Sequence, residues 1–376
     1  MRSLFVQVTK DSLLNALQHV LRAVSANSPI PILSGINIQA QEGGLMLSAS
    51  NTSLTIESRI SPDNIDLQRT GEIVVPARYF NEIIRKLNAG LITLEVKEHL
   101  MLFVTSGGSQ IRLCGMDSAE FPSIRNTEGY YANKLQINNA LLKSTIKQVA
   151  VAASTSEARR VLTGVSLEYK DDALSLTATD GVRLASRTLS IERNPGANVN
   201  IVIPGKNLIE LTKMLQDEEA STEIEIGVGQ IRFTTNELQV QSALIEGTFP
   251  SITRLIPKSY LSEIRVETDC LLHAVERVSV LASGNIVRLG VVSNRLELRS
   301  KTSEIGDVQD EMPIESRTGG DFNISLNSKY FIDLLRCIES EYVKVRFTGK
   351  TSPIVALPTE EQSSSLFLVS PVITGE

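Results

Sequence analysis

One pattern of apolar positions recurs three times along the chain at a spacing of 129 residues. In each copy a polar residue precedes apolar residues at i, i+3, i+4 and i+7, which is typical of an amphipathic helix with a capped start. The three segments are TKDSLLNALQHVLRAVS from Thr9, NNALLKSTIKQVAVAAS from Asn138 and ETDCLLHAVERVSVLAS from Glu267. They predict helices over 10–26, 139–154 and 268–283.

A second helical pattern also occurs three times. Its copies are PARYFNEIIRKLN from Pro76, PGKNLIELTKMLQ from Pro204 and NSKYFIDLLRCIES from Asn327. They predict helices over 77–88, 205–216 and 328–340. A run with the character of a strand precedes each one, reading EIVVP, IVIP and FNISL in turn.

The segments between the helices repeat as well. ILSGINI at Ile32 matches VLTGVSL at Val161, LMLSASN at Leu45 matches LSLTATD at Leu174, and LELRSKT at Leu296 is a weaker third copy. FPSI occurs at Phe121 and at Phe249. Alternation of polar and apolar residues predicts antiparallel strands with one solvated face.

These co-linear matches predict an α+β protein made of three tandem repeats, with domains over 1–126, 127–257 and 258–376. The alternative, unrelated α+β domains of similar composition, does not account for offsets that agree within a few residues.

Composition narrows the class of protein. Hydrophobic residues make up 42% of the 376 residues and Trp is absent, so Leu, Ile and Val must fill the cores. Three widely spaced cysteines, Cys114, Cys270 and Cys337, favour neither a disulfide framework nor a zinc site. No signal peptide or membrane-spanning run is recognisable, and we therefore expect a cytoplasmic protein with no membrane partner.

The net charge of −6 is unevenly distributed. The six predicted helices hold 12 basic and 7 acidic residues, whereas the rest of the chain holds 25 basic and 36 acidic residues. If the helices share one surface, that surface is a basic stripe suited to the phosphates of duplex DNA without regard to sequence. The alternative is ordinary solvated helix faces, and the helix from Thr268 is itself net negative.

The sequence lacks the common motifs of catalytic sites. The sequence contains no GxxxxGK[ST], GxSxG or HExxH pattern. His19, His99 and His273 are isolated from one another, and acidic pairs such as Asp171 and Asp172 are typical of turns. We expect no catalytic residue, no metal and no cofactor.

Several stretches resemble one known family along essentially the whole chain. They are IPILSGI at Ile30, STSEARRVLTGV at Ser154, LTATDGVRLA at Leu176, VIPGKNLIEL at Val202, EGTFPSITRLIP at Glu246 and FTGKTSPIV at Phe347. The chain resembles the β subunit of bacterial DNA polymerase III, the sliding clamp.

The resemblance implies clamp-type domains, with antiparallel sheets outside and two helices per domain inside, that form a ring as a head-to-tail homodimer. Such a ring encircles duplex DNA and confers processivity without an active site of its own. The implied partners are duplex DNA, held topologically and independently of sequence, the DNA polymerase III alpha subunit, the clamp loader and other proteins with a clamp-binding motif.

The resemblance also implies site residues. A hydrophobic cleft for partner peptides would use Leu162, Thr179, Gly181, Val182, Arg183, Leu184, Pro250, Arg254, Leu255, Leu368, Val369, Ser370, Pro371 and Val372. DNA-facing candidates are Arg22, Arg78, Arg85, Lys86, Lys143, Lys147, Arg159, Arg160, Lys206, Lys213 and Arg336. Val280 and Leu281 would anchor the dimer interface. Core packing is the alternative for Leu162, Leu184, Val280 and Leu281, and generic surface charge is the alternative for each basic residue.

Three positions depart from the family pattern. Val182 stands where the family usually has His, Ile373 where it has Arg, and Asn27 lies in a loop that normally offers Arg. These departures leave two kinds of clamp open, the replicative clamp of its cell or a divergent second clamp. A third hypothesis, an enzyme that uses the cleft, is disfavoured because the cleft offers mainly apolar residues.

Overall fold

The computed structural model describes residues 4–25, 29–97, 100–122, 124, 131–191, 198–252, 254–302, 304–359 and 364–373. Six α-helices lie in these ranges: Lys10–Val20 (α1), Ala77–Lys86 (α2), Asn139–Ala150 (α3), Gly205–Thr212 (α4), Thr268–Ser279 (α5) and Ser328–Leu335 (α6). All six predicted helices are confirmed and start where the sequence places them. Each ends earlier than predicted, α1 because the chain tightens into a 3-10 turn at Leu21–Ala23.

Strands fill most of the remaining described chain. The first repeat holds Phe5–Thr9 (β1), Gly35–Gln41 (β2), Gly44–Ser50 (β3), Leu54–Ile60 (β4), Ile65–Arg69 (β5), Gly71–Pro76 (β6), Leu91–Lys97 (β7), Met101–Ser106 (β8) and Ser109–Cys114 (β9). The second holds Tyr131–Asn138 (β10), Gly164–Lys170 (β11), Ala173–Thr179 (β12), Arg183–Ser190 (β13), Val199–Pro204 (β14), Ser221–Gly227 (β15), Gln230–Thr234 (β16) and Leu238–Ala243 (β17). The third holds Ser262–Glu267 (β18), Ile286–Val292 (β19), Arg295–Thr302 (β20), Gly306–Pro313 (β21), Ser316–Gly319 (β22), Phe322–Asn327 (β23), Tyr342–Phe347 (β24), Ile354–Pro358 (β25) and Ser365–Val369 (β26).

The chain divides into two compact units that do not coincide with the three repeats. The first comprises Met1–Ala140 and Lys213–Leu244, and the second comprises Leu141–Thr212 and Ile245–Glu376. The first unit contains a sheet ordered β5-β1-β7-β8-β9 and another ordered β10-β15-β16-β17-β4-β3-β2-β6. The second contains sheets ordered β14-β11-β12-β13-β26-β25-β24-β18-β22 and β21-β20-β19-β23.

The middle repeat is divided because its strands complete the sheets of both neighbours. In the first unit β17 pairs with β4, and in the second unit β26 pairs with β13. Every pairing between named strands is antiparallel, as the alternating sequence predicts. Two helices and two sets of antiparallel strands per repeat confirm the predicted α+β class and its tandem repetition.

The backbone pairing sets the repeats in register. Gly35 faces Pro76, Gly164 faces Pro204 and Ile286 faces Asn327. The three strand pairs therefore occupy equivalent places, and positions along them can be compared one by one.

The first helices of the first and third repeats pack against their own sheets. In α1 the side chains of Leu13 and Leu17 are fully buried, and in α5 Leu271 and Val275 are fully buried. This i, i+4 spacing puts both leucines of α1 on one face of the helix. The helix is held at its start because Thr9 Oγ1 accepts a hydrogen bond from the backbone N–H of Ser12.

Candidate peptide cleft and basic helix surface

A tight turn between β12 and β13 forms one wall of the candidate cleft. The carboxylate oxygen Oδ1 of Asp180 accepts hydrogen bonds from the backbone N–H groups of Val182 and Arg183, both at 2.9 Å. Gly181 has a φ of 96°, which favours glycine, and Thr179 Oγ1 donates to the carbonyl of Arg183 at 2.6 Å. The turn is therefore rigid, and it leaves the Val182 side chain 42% exposed.

Arg183 is held by Asp180 of the same turn and by two residues of α6. Its guanidinium donates to Asp180 at 3.1 Å and to Asp333 of α6 at 2.8 Å, and it lies 4.5 Å from the centre of the Tyr330 ring. The side chain is only 11% exposed. Arg183 therefore shapes the cleft wall, and its charge is already neutralised within the protein.

Sequence reasoning missed Tyr330 and Asp333 as parts of this wall. The available signal was the second helical repeat, since both residues lie on one face of NSKYFIDLLRCIES at i and i+3. Nothing in that repeat indicates contact with Arg183, which is 150 residues away along the chain.

The C-terminal strand comes directly beside the turn. Arg183 pairs with Val369 and Leu184 with Leu368, and Ser370 N donates to the Val182 carbonyl at 2.8 Å. The structure thus brings together the 179–184 and 368–372 groups that the resemblance implies.

Not all of the implied cleft residues are accessible. Leu184 and Leu368 form a buried cluster with Val355, against which Ile252 and Ile256 pack. Leu162 is 4% exposed, so core packing describes Leu162 and Leu184 in this structure. The exposed members are Gly181, Val182, Pro250, Arg254 and Leu255.

Two positions that depart from the family pattern, Val182 and Ile373, are exposed in this structure. Leu255 is 48% exposed and Ile373 is 81% exposed. Val182 and Ile373 replace two side chains that would carry polar or charged groups. The Asn27 loop and residues 374–376 lie outside the described residues.

An equivalent junction in the first unit is closed. Asn51 Oδ1 accepts from Ser53 N and Leu54 N, as Asp180 does in the second unit, and Ala243 N donates to the Ser53 carbonyl at 2.8 Å. Leu54 replaces Arg183 and is 2% exposed.

The segment that closes that junction includes Ile124. The backbone N–H of Ile124 donates to Glu57 Oε1 at 3.0 Å, and Ile124 is 8% exposed. Burial raises the pKa of the Glu57 carboxyl, against the opposing effects of the Ile124 N–H, Arg232 and Arg59. In the described residues the accessible cleft is therefore at the junction of the second and third repeats.

The basic candidates occupy helices or their ends. Arg78, Arg85, Lys86, Lys147, Lys206, Lys213 and Arg160 are exposed, whereas Arg22 and Lys143 are half-buried. Lys86 lies 3.7 Å from Glu82 and Arg336 lies 2.7 Å from Glu276, so the charges of both are partly neutralised. Surface pairs of this kind are weak and leave both cations free to exchange partners.

Arg159 belongs to a different place from the other basic candidates. Its guanidinium donates to the Asp180 carbonyl at 3.1 Å and lies against Gly181, where a Cβ would come within 2.8 Å of Nη2. Arg159 therefore supports the cleft turn.

The two dimer candidates differ in exposure. Val280, at the end of α5, is 79% exposed. Leu281 is half-buried, and its carbonyl accepts a hydrogen bond from Thr302 Oγ1 at 2.7 Å. A valine this exposed at a helix end is suited to an interface with another chain.

No cluster of three or more His, Cys, Asp or Glu side chains in the described residues is arranged to hold a metal ion. None of the helices in the described ranges is long and apolar enough to cross a membrane.

Comparisons with known proteins agree with this architecture. Three sequence models of the DNA polymerase III beta subunit match in order: the N-terminal domain over residues 4–125, the central domain over 136–251 and the C-terminal domain over 253–370. The beta sliding clamp of Staphylococcus epidermidis is 34% identical over 375 residues, covering 98% of each chain. That of Bacillus subtilis is 36% identical over 371 residues, covering 96% of this chain and 98% of the relative.

Solved structures give the same result. The DNA polymerase sliding clamp from Bacillus subtilis superposes with a TM-score of 0.94 at 34% identity, covering 99% of this chain and 100% of that one. The beta subunit of DNA polymerase from Streptococcus pyogenes superposes with a TM-score of 0.93 at 31% identity, covering 98% and 100%. The chain therefore belongs to the DNA polymerase III beta subunit family.

Proposed function

We propose that the protein is a DNA sliding clamp without catalytic activity, which encircles duplex DNA as a head-to-tail homodimer and tethers the replicative polymerase. Family membership over nearly the whole chain supports this function. The proposed domains are those of the sequence repeat, 1–126, 127–257 and 258–376, and the proposed location is the cytoplasm.

The observation that carries the ring is a pair of equivalent joints between repeats. In one joint β4 of the first repeat pairs with β17 of the second, and in the other β13 of the second pairs with β26 of the third. The same backbone hydrogen bond, at 2.8 Å, closes both joints, from Ala243 N to Ser53 O and from Ser370 N to Val182 O.

Two strands at equivalent places each have one edge that pairs with no other strand of the described residues. The third-repeat counterpart of β4 and β13 is β21, and the first-repeat counterpart of β17 and β26 is β9. Both are edge strands of their sheets. Pairing of β21 from one protomer with β9 of the next would repeat the joint and remove both edges. A contact between unlike surfaces that closes on itself gives a ring.

Side chains at these edges fit an interface. Ile111 and Leu113 on β9 and Val308 on β21 are half-buried, so each keeps apolar surface that a partner strand would cover. Val280 lies at the end of α5, the helix that packs on the sheet of β21. Two protomers joined in this way would present six repeats.

DNA would be held by the basic helix candidates. Contacts with phosphates alone are independent of sequence and weaken with salt, so retention must come from the closed ring. Duplex DNA would then slide while remaining enclosed.

Partner peptides would dock in the cleft bounded by the 179–184 turn and the 368–372 segment. Exposed Val182 and Leu255 would contact apolar peptide side chains, and the rigid Asp180–Arg183 turn would orient the peptide backbone. We propose the DNA polymerase III alpha subunit, the clamp loader and other proteins with a clamp-binding motif as occupants.

Topological retention tests the function directly. Protein loaded onto nicked circular DNA should stay bound at high salt and should be lost when the circle is cut, because a linear duplex allows the ring to slide off. Equal retention on circular and linear DNA would reject the clamp. Sedimentation should give about twice the protomer mass of 41.1 kDa, and a strict monomer would reject the ring.

A second candidate is a divergent clamp with altered partners, favoured by Val182 and Ile373 at the cleft. A labelled peptide from the C-terminus of the polymerase alpha subunit separates the two. Saturable binding supports the replicative clamp, and absence of binding by a protein that is retained on circles supports the divergent one.

A further inference from the structure

A depression of about 560 Å³ lies on the third-repeat sheet. Its floor is Gly290 of β19, which faces Glu297 of β20 and Asn323 of β23. Gly290 has no side chain to fill the space between its neighbours. Three cationic side chains line the depression: Arg288, Arg299 and Lys350.

The depression is on the face of the sheet opposite α5, here termed the helix-free face. Ser300 of β20 donates to the carbonyl of Val278 in α5. Because side chains alternate along a strand, Arg299 and Glu297 point the other way. Arg288 and Arg299 are both exposed.

The same face is covered in the other two repeats. The positions equivalent to Arg288 and Arg299 are Asn37 and Ser48 in the first repeat and Ser166 and Thr177 in the second. All four are buried, with exposures of 8%, 4%, 8% and 7%.

The covering elements are the two segments that end in FPSI. In the first repeat Ile124 N donates to Glu57, the cross-strand neighbour of Ser48. In the second, Ile245 N donates to the Val202 carbonyl beside Ser166, and Ile252 packs near Leu184. A non-helical segment therefore lies over this face in both repeats. The third repeat makes the corresponding contact, from Val372 N to the Ser325 carbonyl beside Arg288, but Arg288 and Arg299 stay exposed there.

The third repeat presents excess positive charge at this place. Arg288 lies directly opposite Arg299 across the strand pair, an arrangement that costs free energy unless an anion offsets it. Glu297 forms an ion pair with Arg299 at 2.6 Å, and Asp321 forms an ion pair with Arg317 at 2.6 Å. Within the part of the chain that the structure describes, neither Arg288 nor Lys350 is in an ion pair.

We propose that the helix-free face of the third repeat binds an extended acidic segment of a partner protein. The extended form follows from the connectors that occupy the equivalent face twice in this chain. The acidic character follows from the cations that replace Asn37, Ser48, Ser166 and Thr177. The site adjoins the C-terminal segment of the peptide cleft, because Val372 N donates to the Ser325 carbonyl beside Arg288, so one partner could engage both.

The test uses the full-length protein and a fluorescein-labelled peptide, GMDDEEFPSI, which is the 115–124 connector with two further acidic residues. A matched peptide, GMKKKKFPSI, and a ten-nucleotide oligothymidylate serve as comparisons. The acidic peptide should show saturable anisotropy changes below about 1 mM, weakened by salt, and the basic peptide should show none. Absence of saturable binding by the acidic peptide overturns the proposal, as does displacement of that peptide by the oligothymidylate.

Three variants locate the binding. Removing both unpaired cations, in Arg288→Ser with Lys350→Ser, should weaken acidic peptide binding about tenfold. Gly290→Gln should abolish binding because the side chain fills the floor. The fold should accept this variant, since an added Cβ meets only Phe322 O at 3.9 Å and Gln39 holds the equivalent first-repeat position.

Arg295→Ser is the control, because it removes one cation from β20 that pairs with Glu311 at 2.9 Å and does not line the depression. Its binding should match the parent, and equal loss in Arg295→Ser and the double variant overturns the site. Retention on nicked circles should be unchanged in all variants. If the parent protein is not retained on nicked circles, the proposed clamp function fails. The proposed acidic-segment site is then judged by the peptide-binding result alone.

Discussion

The contribution of Val280 to the proposed dimer joint can be worked out from its exposure. The side chain is 79% exposed in the protomer, so nearly all of its surface is available for burial by a second chain. Val280→Ala removes the equivalent of two methylene groups, each worth about 0.8 kcal/mol when fully buried. Scaled by the 79% exposure of the Val280 side chain, the loss of binding free energy is about 1.3 kcal/mol per joint. Both joints break when a ring dissociates, so the total is about 2.5 kcal/mol.

This loss corresponds to a dimer dissociation constant raised roughly 60-fold. Sedimentation equilibrium over a range of protein concentrations measures the constant for parent and variant. Val228→Ala is the matched control, because Val228 is 81% exposed but lies in the turn between β15 and β16. It should leave the constant unchanged. A Val280→Ala dimer that dissociates within twofold of the parent would show that Val280 is outside the joint.

Three further outcomes follow from the cleft and its closed counterpart. Glu57→Gln should raise the thermal midpoint of unfolding near neutral pH, because burial raises the pKa of Glu57 and disfavours its charged form in the folded state. This gain in stability should shrink as the pH falls towards the ordinary pKa of 4.5. A variant that is less stable than the parent at neutral pH would show that the attraction of Arg232 and Arg59 outweighs burial. Arg183→Ala should lower the free energy of unfolding in urea by about 2 kcal/mol, because it strands partly buried Asp333, and a change below about 0.5 kcal/mol would contradict the network. Val182→His should alter the affinity of a polymerase peptide without changing retention on circles, and identical peptide affinity would remove Val182 from the cleft rim.

The repeated sequence pattern was enough to place the start of every helix. At α1 and α6 the preceding polar residue, Thr9 or Asn327, accepts a hydrogen bond from a backbone N–H of the first turn, and this is a local property. Helix ends were placed too late because they depend on packing: after Val20 the chain turns into a 3-10 segment that no nearby residue signals.

The sharing of sheets between repeats could not be predicted. Alternation shows that a strand has a buried face, but it does not identify the strand that will pair with its edge. The division of the second repeat between two compact units follows from the β4–β17 and β13–β26 pairings, which join segments far apart in sequence.

The candidate site was predictable in outline. The resemblance placed Val182 and Ser370 in one site, and the structure brings them within a hydrogen bond of each other. The burial of Leu162 and Leu184 and the engagement of Arg183 by Asp333 arise from tertiary packing. Exposure of Arg288 became informative only when equivalent positions could be compared.

The sharing of strands also bears on synthesis at the ribosome. Once the first repeat has emerged, β4 has a free edge until Leu238–Ala243 is available to pair with it. At about 5–20 residues per second, the roughly 180 intervening residues keep that edge open for about 10–40 seconds. Open edges of this kind attract other chains. The nascent protein is therefore most exposed to aggregation and to chaperone binding in the interval before the second repeat is finished.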